Sequence, residues 1–200
     1  MVTLYKILKY IVIAIIGLFL TFIVLLAYLF ITQANVEQVS YINGCNSDKI
    51  LMVYCDFQNP EDLVALPGEQ FLIVSEMGEF LTDAPGKLSL LNLSSGSREA
   101  LNIDWSVQSN KRGDIACPAP DIASFSPHGI DLTSLNGGGL QLLVVNHGGR
   151  ESIEFFEVQK SEGVWSLAWQ GCALPPDDPF INDVAGLDEG GFLITHMWDK

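Results

Sequence analysis

Two hundred residues with 48% hydrophobic side chains allow one membrane segment and one ordinary domain, the first thirty residues holding much of the apolar excess. Beyond residue 32 the chain carries 24 acidic against 8 basic residues, a formal excess of 16 negative charges. Such a balance repels phosphate backbones, which argues against nucleic acid as a partner, and it is compatible with divalent cations.

The first element is a run without charge from Tyr10 to Ile31. A hydrocarbon core takes about 20 apolar helical residues, whereas the apolar region of a cleaved signal peptide has about 7–15. Residues 1–32 are therefore expected to be retained as a transmembrane signal anchor, with cleavage after Ala34 as the alternative. Lys6 and Lys9 precede the run and Glu37 is the first charge after it. The positive-inside rule then places the N-terminus in the cytoplasm and the domain in the periplasm, exterior or lumen.

Residues 33–60 form a linker with an early strand expected at Ile50–Tyr54. From residue 61 to 200 short apolar runs alternate with Gly, Pro, Asn and Asp turns, at Phe71–Ser75, Lys87–Leu93, Leu140–Asn146, Ser152–Val158, Val164–Trp169 and Gly191–Thr195. No stretch beyond residue 33 has a helical period, so the domain is expected to be all-β. Runs such as Phe71-Leu72-Ile73-Val74 and Leu142-Leu143-Val144-Val145 are apolar at consecutive positions. Strands with one wet face alternate, so both faces are covered, as in a sandwich or in stacked propeller blades. Glu61-Asp62 and Asn182-Asp183 each precede apolar residues, a turn and an apolar strand, which reads as one blade start used twice.

Cys45, Cys55, Cys117 and Cys172 all follow the hydrophobic segment and have no CxxC spacing, which argues against a zinc ribbon or a thioredoxin-type pair. Outside the cytosol disulfides are permitted, and three complete pairings are open. Asn92-Leu93-Ser94 is a bare glycosylation sequon.

Chemistry concentrates between Phe125 and His147. Pro127 and Gly129 punctuate a turn that presents His128, and the strand Leu140–Val145 delivers His147 at the other end of a hairpin-sized unit. Two imidazoles held close can pass a proton at neutral pH. The adjacent oxygen donors Glu61-Asp62 and Asn182-Asp183 can each serve two sites, since neighbouring side chains of an extended segment point to opposite faces. Oxygen donors of this kind suit calcium, which takes six to eight oxygens, rather than zinc or copper.

The motif order Pro60-Glu61-Asp62-Leu63, Phe125-Ser126-Pro127-His128-Gly129-Ile130, Leu142-Leu143-Val144-Val145-Asn146-His147, Ser152-Ile153-Glu154-Phe155-Phe156 and Ile181-Asn182-Asp183-Val184 resembles the paraoxonase/arylesterase family. That family lies within the senescence-marker-protein/gluconolactonase group of calcium-dependent six-bladed β-propellers. The resemblance covers about residues 40–198. It implies that the chain forms about half of a six-bladed β-propeller and descends from calcium-dependent hydrolases of lactones or aryl esters, which carry two calcium ions. By the same resemblance Glu61 and Asn182 match ligands of the catalytic calcium. Asp62, Asp183 and the backbone carbonyl of Ile130 match ligands of the structural calcium, and His128 and His147 match the dyad that activates water. Cys45 matches an early cysteine that the family joins to one near its C-terminus.

Departures accompany the match. His196-Met197-Trp198 stands where the family tends to carry Asn-Asp-His. The expected third blade is unfinished at Lys200, so the chain reads as a fragment that is inactive alone. A non-catalytic, membrane-anchored propeller that binds a partner and keeps only structural calcium is the competing expectation.

Overall fold

The computed structural model describes residues 2–34, 44–47, 50–79, 84–106, 111–177, 179–187 and 190–199. The chain divides into two units, Met1–Val53 and Tyr54–Lys200. In the first, helix α1 runs over Val2–Ala34, and its Tyr5–Leu29 stretch is long and apolar enough to cross a membrane. At about 1.5 Å per residue such a stretch exceeds the roughly 30 Å of a hydrocarbon core. Thr21 Oγ1 turns back onto the Gly17 carbonyl at 3.1 Å, so the hydroxyl is satisfied within the helix.

The second unit is built from strands. β1 (Pro60–Ala65), β2 (Phe71–Glu76), β3 (Lys87–Asn92) and β4 (Arg98–Ala100) form a four-stranded antiparallel meander. β5 (Asn102–Asp104) and β6 (Arg112–Gly113) follow, and then β7 (Pro127–Ser134), β8 (Leu140–Asn146), β9 (Ser152–Ser161) and β10 (Val164–Ala173) make a second antiparallel meander. β5 and β6 lie parallel along the outer edge of β10, where they cover polar backbone that would otherwise present an open edge. β11 (Pro179–Gly186) and β12 (Phe192–Asp199) form a separate antiparallel hairpin.

The consecutive apolar residues now have their explanation. Leu142 and Val144 of β8 enter one core cluster with Ile73, Leu88, Leu90, Phe156 and Trp169, whereas Leu143 and Val145 enter another with Ile153, Phe155, Ile181 and Val184. Side chains alternate across a strand, so β8 feeds a core on each face of its sheet. All four of these β8 side chains are at most 1% exposed. Each such burial is worth about 1.5–3 kcal/mol, so the three layers of strands hold together through this middle sheet.

Two expectations need correction. Residues 51–57 form no strand, and Ile50, Leu51 and Met52 are largely exposed. Apolar composition alone does not make a strand without a partner ladder, and here the attachment is a side chain, Tyr54 Oη donating to the Leu93 carbonyl at 2.7 Å. The segment around His128 is not a turn but the beginning of β7. What Pro127 and Gly129 mark there is a break in register, described below.

The cysteines are all oxidised among the described residues, with Cys117 joined to Cys172. Cys45 and Cys55 are also disulfide-bonded. Cys172 is thus taken by Cys117, and Cys45 already stands in a disulfide.

Candidate functional site

Three strands open on irregularities of the same kind. Between Pro60↔Glu76 and Asp62↔Ser75, β1 advances two residues while β2 advances one, which leaves Glu61 as the extra residue. Between Pro127↔Asn146 and Ile130↔Val144, β7 likewise gains one residue, within His128-Gly129. Between Ile181↔His196 and Asp183↔Thr195 the extra residue is Asn182. A β-bulge bends its strand and re-aims a side chain, and such devices gather beside functional sites. β7 packs beside β1 and beside β11, so the three bulges come together.

His128 is where they meet. Its Nδ1 lies 2.6 Å from the carbonyl oxygen of Asn182, and its Nε2 lies 3.4 Å from Glu61 Oε2. A carbonyl only accepts, so Nδ1 carries the hydrogen and Nε2 is the nitrogen that gains or loses a proton, in front of a carboxylate. The side chain is 15% exposed, so most of the ring is shielded from solvent.

His147 meets His128 edge to face, the ring centroids 5.0 Å apart. Its backbone N–H donates to the Ser126 carbonyl at 3.0 Å, which ties the end of β8 to the approach to β7. Its ring stacks on Phe180 at 4.4 Å, and Phe180 stacks in turn on Trp198 at 4.8 Å. The departure at 196–198 therefore supplies an aromatic ring to this column. His147 Nδ1 lies 2.9 Å from Glu151 Oε2, and its Nε2 is buried without a hydrogen-bond partner among the described residues.

Glu151 is the residue that motif reading missed. It sits just before β9, is 3% exposed, and also accepts the Ile181 N–H at 3.2 Å. The visible signal was an acid four residues beyond a histidine across a glycine turn, His147-Gly148-Gly149-Arg150-Glu151.

The carboxylates of Asp62 and Asp183 flank one peptide of β7. Asp62 Oδ2 accepts the Ile130 N–H at 2.8 Å and its Oδ1 accepts the Leu63 N–H at 2.7 Å. Asp183 Oδ1 accepts the Val184 N–H at 2.8 Å, and a Cβ placed on Gly129 would lie 2.5 Å from that same oxygen. Only glycine admits this approach. The contact of Ile130 with Asp62 runs through its N–H.

Among the described residues no three His, Cys, Asp or Glu side chains converge as a metal-binding set. Glu61, Asp62, Asn182 and Asp183 nevertheless fit a hard cation in kind, since each offers oxygen and all four flank the bulge of β7. Three carboxylates and one amide, one oxygen each, fall short of six to eight ligands, so carbonyls, water or substrate would complete any such sphere.

No protein-family profile matches the chain, and no curated protein matches it. The reading of the site accordingly rests on its residues and their geometry.

Two buried carboxylates elsewhere are structural. Glu76 is fully buried between Arg98 at 3.2 Å and Lys87 at 3.7 Å. Glu154 is held by Arg150 at 3.0 Å, the Ser152 hydroxyl at 2.7 Å and Trp169 Nε1 at 2.8 Å. Buried charges survive only when paired and hydrogen-bonded in this way.

Proposed function

We propose that the chain contributes the catalytic histidines of a calcium-dependent hydrolase of lactones or aryl esters, similar to the paraoxonase/arylesterase family. In this reading the two meanders are blades of a six-bladed β-propeller and the β11–β12 hairpin opens a third. The single observation that carries it is the setting of His128, with Glu61 before Nε2, the Asn182 carbonyl behind Nδ1 and the His147 ring alongside.

Calcium, held by Glu61 and Asn182 at one position and by Asp62, Asp183 and the Ile130 carbonyl at another, would polarise the ester carbonyl and brace the strands. The protein's own groups do the proton work. A water near His128 loses its proton to Nε2 as its oxygen bonds to the carbonyl carbon. The Glu61 carboxylate then faces an imidazolium, and the bond to Asn182 keeps the ring from turning. On collapse of the tetrahedral adduct the carbon–oxygen bond to the leaving group breaks, and His128 returns the proton to that oxygen. His147, fixed by Glu151 and Phe180, forms the wall that holds the first ring in place.

Helix α1 is proposed as the membrane anchor, with Lys6 and Lys9 on the cytoplasmic side and the strand unit in the periplasm, exterior or lumen. The test of function is hydrolysis of phenyl acetate and of a δ-lactone, with calcium and with a chelator, by a protein in which these blades are joined to the further blades that close a six-bladed ring. Turnover that requires calcium is the expected result.

A second reading keeps the fold and drops the chemistry. Both nitrogens of His128 already have neighbours, and no three acidic or histidine side chains converge among the described residues. Those facts favour a partner-binding module with structural calcium, which predicts stabilisation by calcium with no turnover of either substrate.

A further inference from the structure

We infer that Glu151 is a positioning residue that sets both halves of the histidine pair with one carboxylate oxygen. The inference rests on the reading of His128 and His147 as a working pair, but its geometry stands apart from any assay of turnover.

The oxygen concerned is Oε2, which receives the Ile181 N–H at 3.2 Å and lies 2.9 Å from His147 Nδ1. An ionised carboxylate only accepts, so Nδ1 is the nitrogen that donates to it. The other ring nitrogen, Nε2, is buried with no hydrogen-bond partner among the described residues. Leaving a buried polar atom unmet is costly, and such a state is expected where the atom waits for a ligand or a proton.

The second arm works through the backbone. Ile181 immediately precedes Asn182, whose carbonyl oxygen holds His128 Nδ1 at 2.6 Å. Fixing the Ile181 amide therefore fixes the start of the bulge that aims this carbonyl. Glu151 thus orients His147 directly and His128 indirectly. Among the described residues, the charged or titratable groups in contact with the pair include Glu151 from the loop before β9, Glu61 from β1 and the two imidazoles themselves. Phe180 covers the remaining face with an uncharged ring.

The test is direct observation of the ring nitrogens of His147 by long-range proton–nitrogen correlation on ¹⁵N-labelled full chain in detergent at neutral pH. The expected spectrum has a protonated Nδ1 and an unprotonated Nε2. In Glu151→Gln an oxygen in the place of Oε2 can still accept both hydrogens, so the wild-type tautomer should persist, whereas Glu151→Leu removes the acceptor and should let hydrogen appear on Nε2. A wild-type His147 with hydrogen on Nε2 would overturn the inference without any variant. So would a folded Glu151→Leu protein, judged by an unchanged amide spectrum elsewhere, whose His147 keeps hydrogen on Nδ1 alone. If hydrolysis is present, the same variant should lower kcat by about 10- to 100-fold, the range for carboxylates that orient functional imidazoles at metal centres, with KM little changed. Absence of hydrolysis in the wild type would remove the catalytic reading and leave the tautomer result to stand or fall by itself.

Discussion

The Nδ1 atom of His128 donates to the carbonyl oxygen of Asn182 at 2.6 Å, across 54 residues of chain. This bond uses the backbone of Asn182 and not its amide. Replacing the side chain therefore separates two roles that one residue could play.

Asn182→Ala keeps the carbonyl and with it the anchor of His128. The expected outcome is a fall in kcat/KM for lactone hydrolysis to near the level of Glu61→Ala, because both side chains lose an oxygen donor at the same place. Activity equal to wild type in Asn182→Ala would confine the residue to its backbone role.

How much of this was legible beforehand differs by element. The covering of both faces of β8 followed from four apolar residues in a row, and the two core clusters divide those residues by parity. The doubled polar pair at 61–62 and 182–183 announced equivalent strand beginnings. What composition could not express was the bulge, since an extra residue is defined only against a partner strand. For the same reason His128 read as a turn residue although it lies in a strand. Glu151 stayed hidden because its second contact, with Ile181, comes from a segment 30 residues on.

Calcium binding to the folded state alone raises its stability by mass action. Added calcium is expected to raise the melting temperature of the strand unit relative to a chelated sample, and Asp183→Ala should reduce that rise. An equal shift in the variant would remove Asp183 from the binding set. Differential scanning calorimetry in the two buffers reads both results.

Gly129→Ala tests the closeness of β7 and β11. The added methyl would fall 2.6 Å from the Asp183 Cα as well as 2.5 Å from its Oδ1, so backbone must move. Overpacking of this sort costs about 1–3 kcal/mol. Urea unfolding should show a lower midpoint with the slope unchanged, and an unaltered midpoint would mean that the two strands have slack.

The bond between Cys117 and Cys172 closes a loop of 55 residues around the second meander and ties the 114–120 segment to β10. Arg150 Nη2 lies 3.2 Å from Cys172 Sγ, so the bond also shapes the loop that carries Glu151. Loss of a bond of this span typically costs about 2–4 kcal/mol. The Cys117→Ser, Cys172→Ser double variant should melt lower than wild type, and equal melting would show that the packing around Trp169 suffices.

The central claim is that His128 Nε2 accepts the proton of the attacking water. The most direct measurement is kcat/KM for a δ-lactone in the presence of calcium, compared in the closed six-bladed form between wild type and His128→Gln. General-base contributions are worth about 10²–10⁴ in rate, and the account predicts a loss in that range with the fold intact by circular dichroism. An unchanged kcat/KM in a folded His128→Gln protein would contradict it.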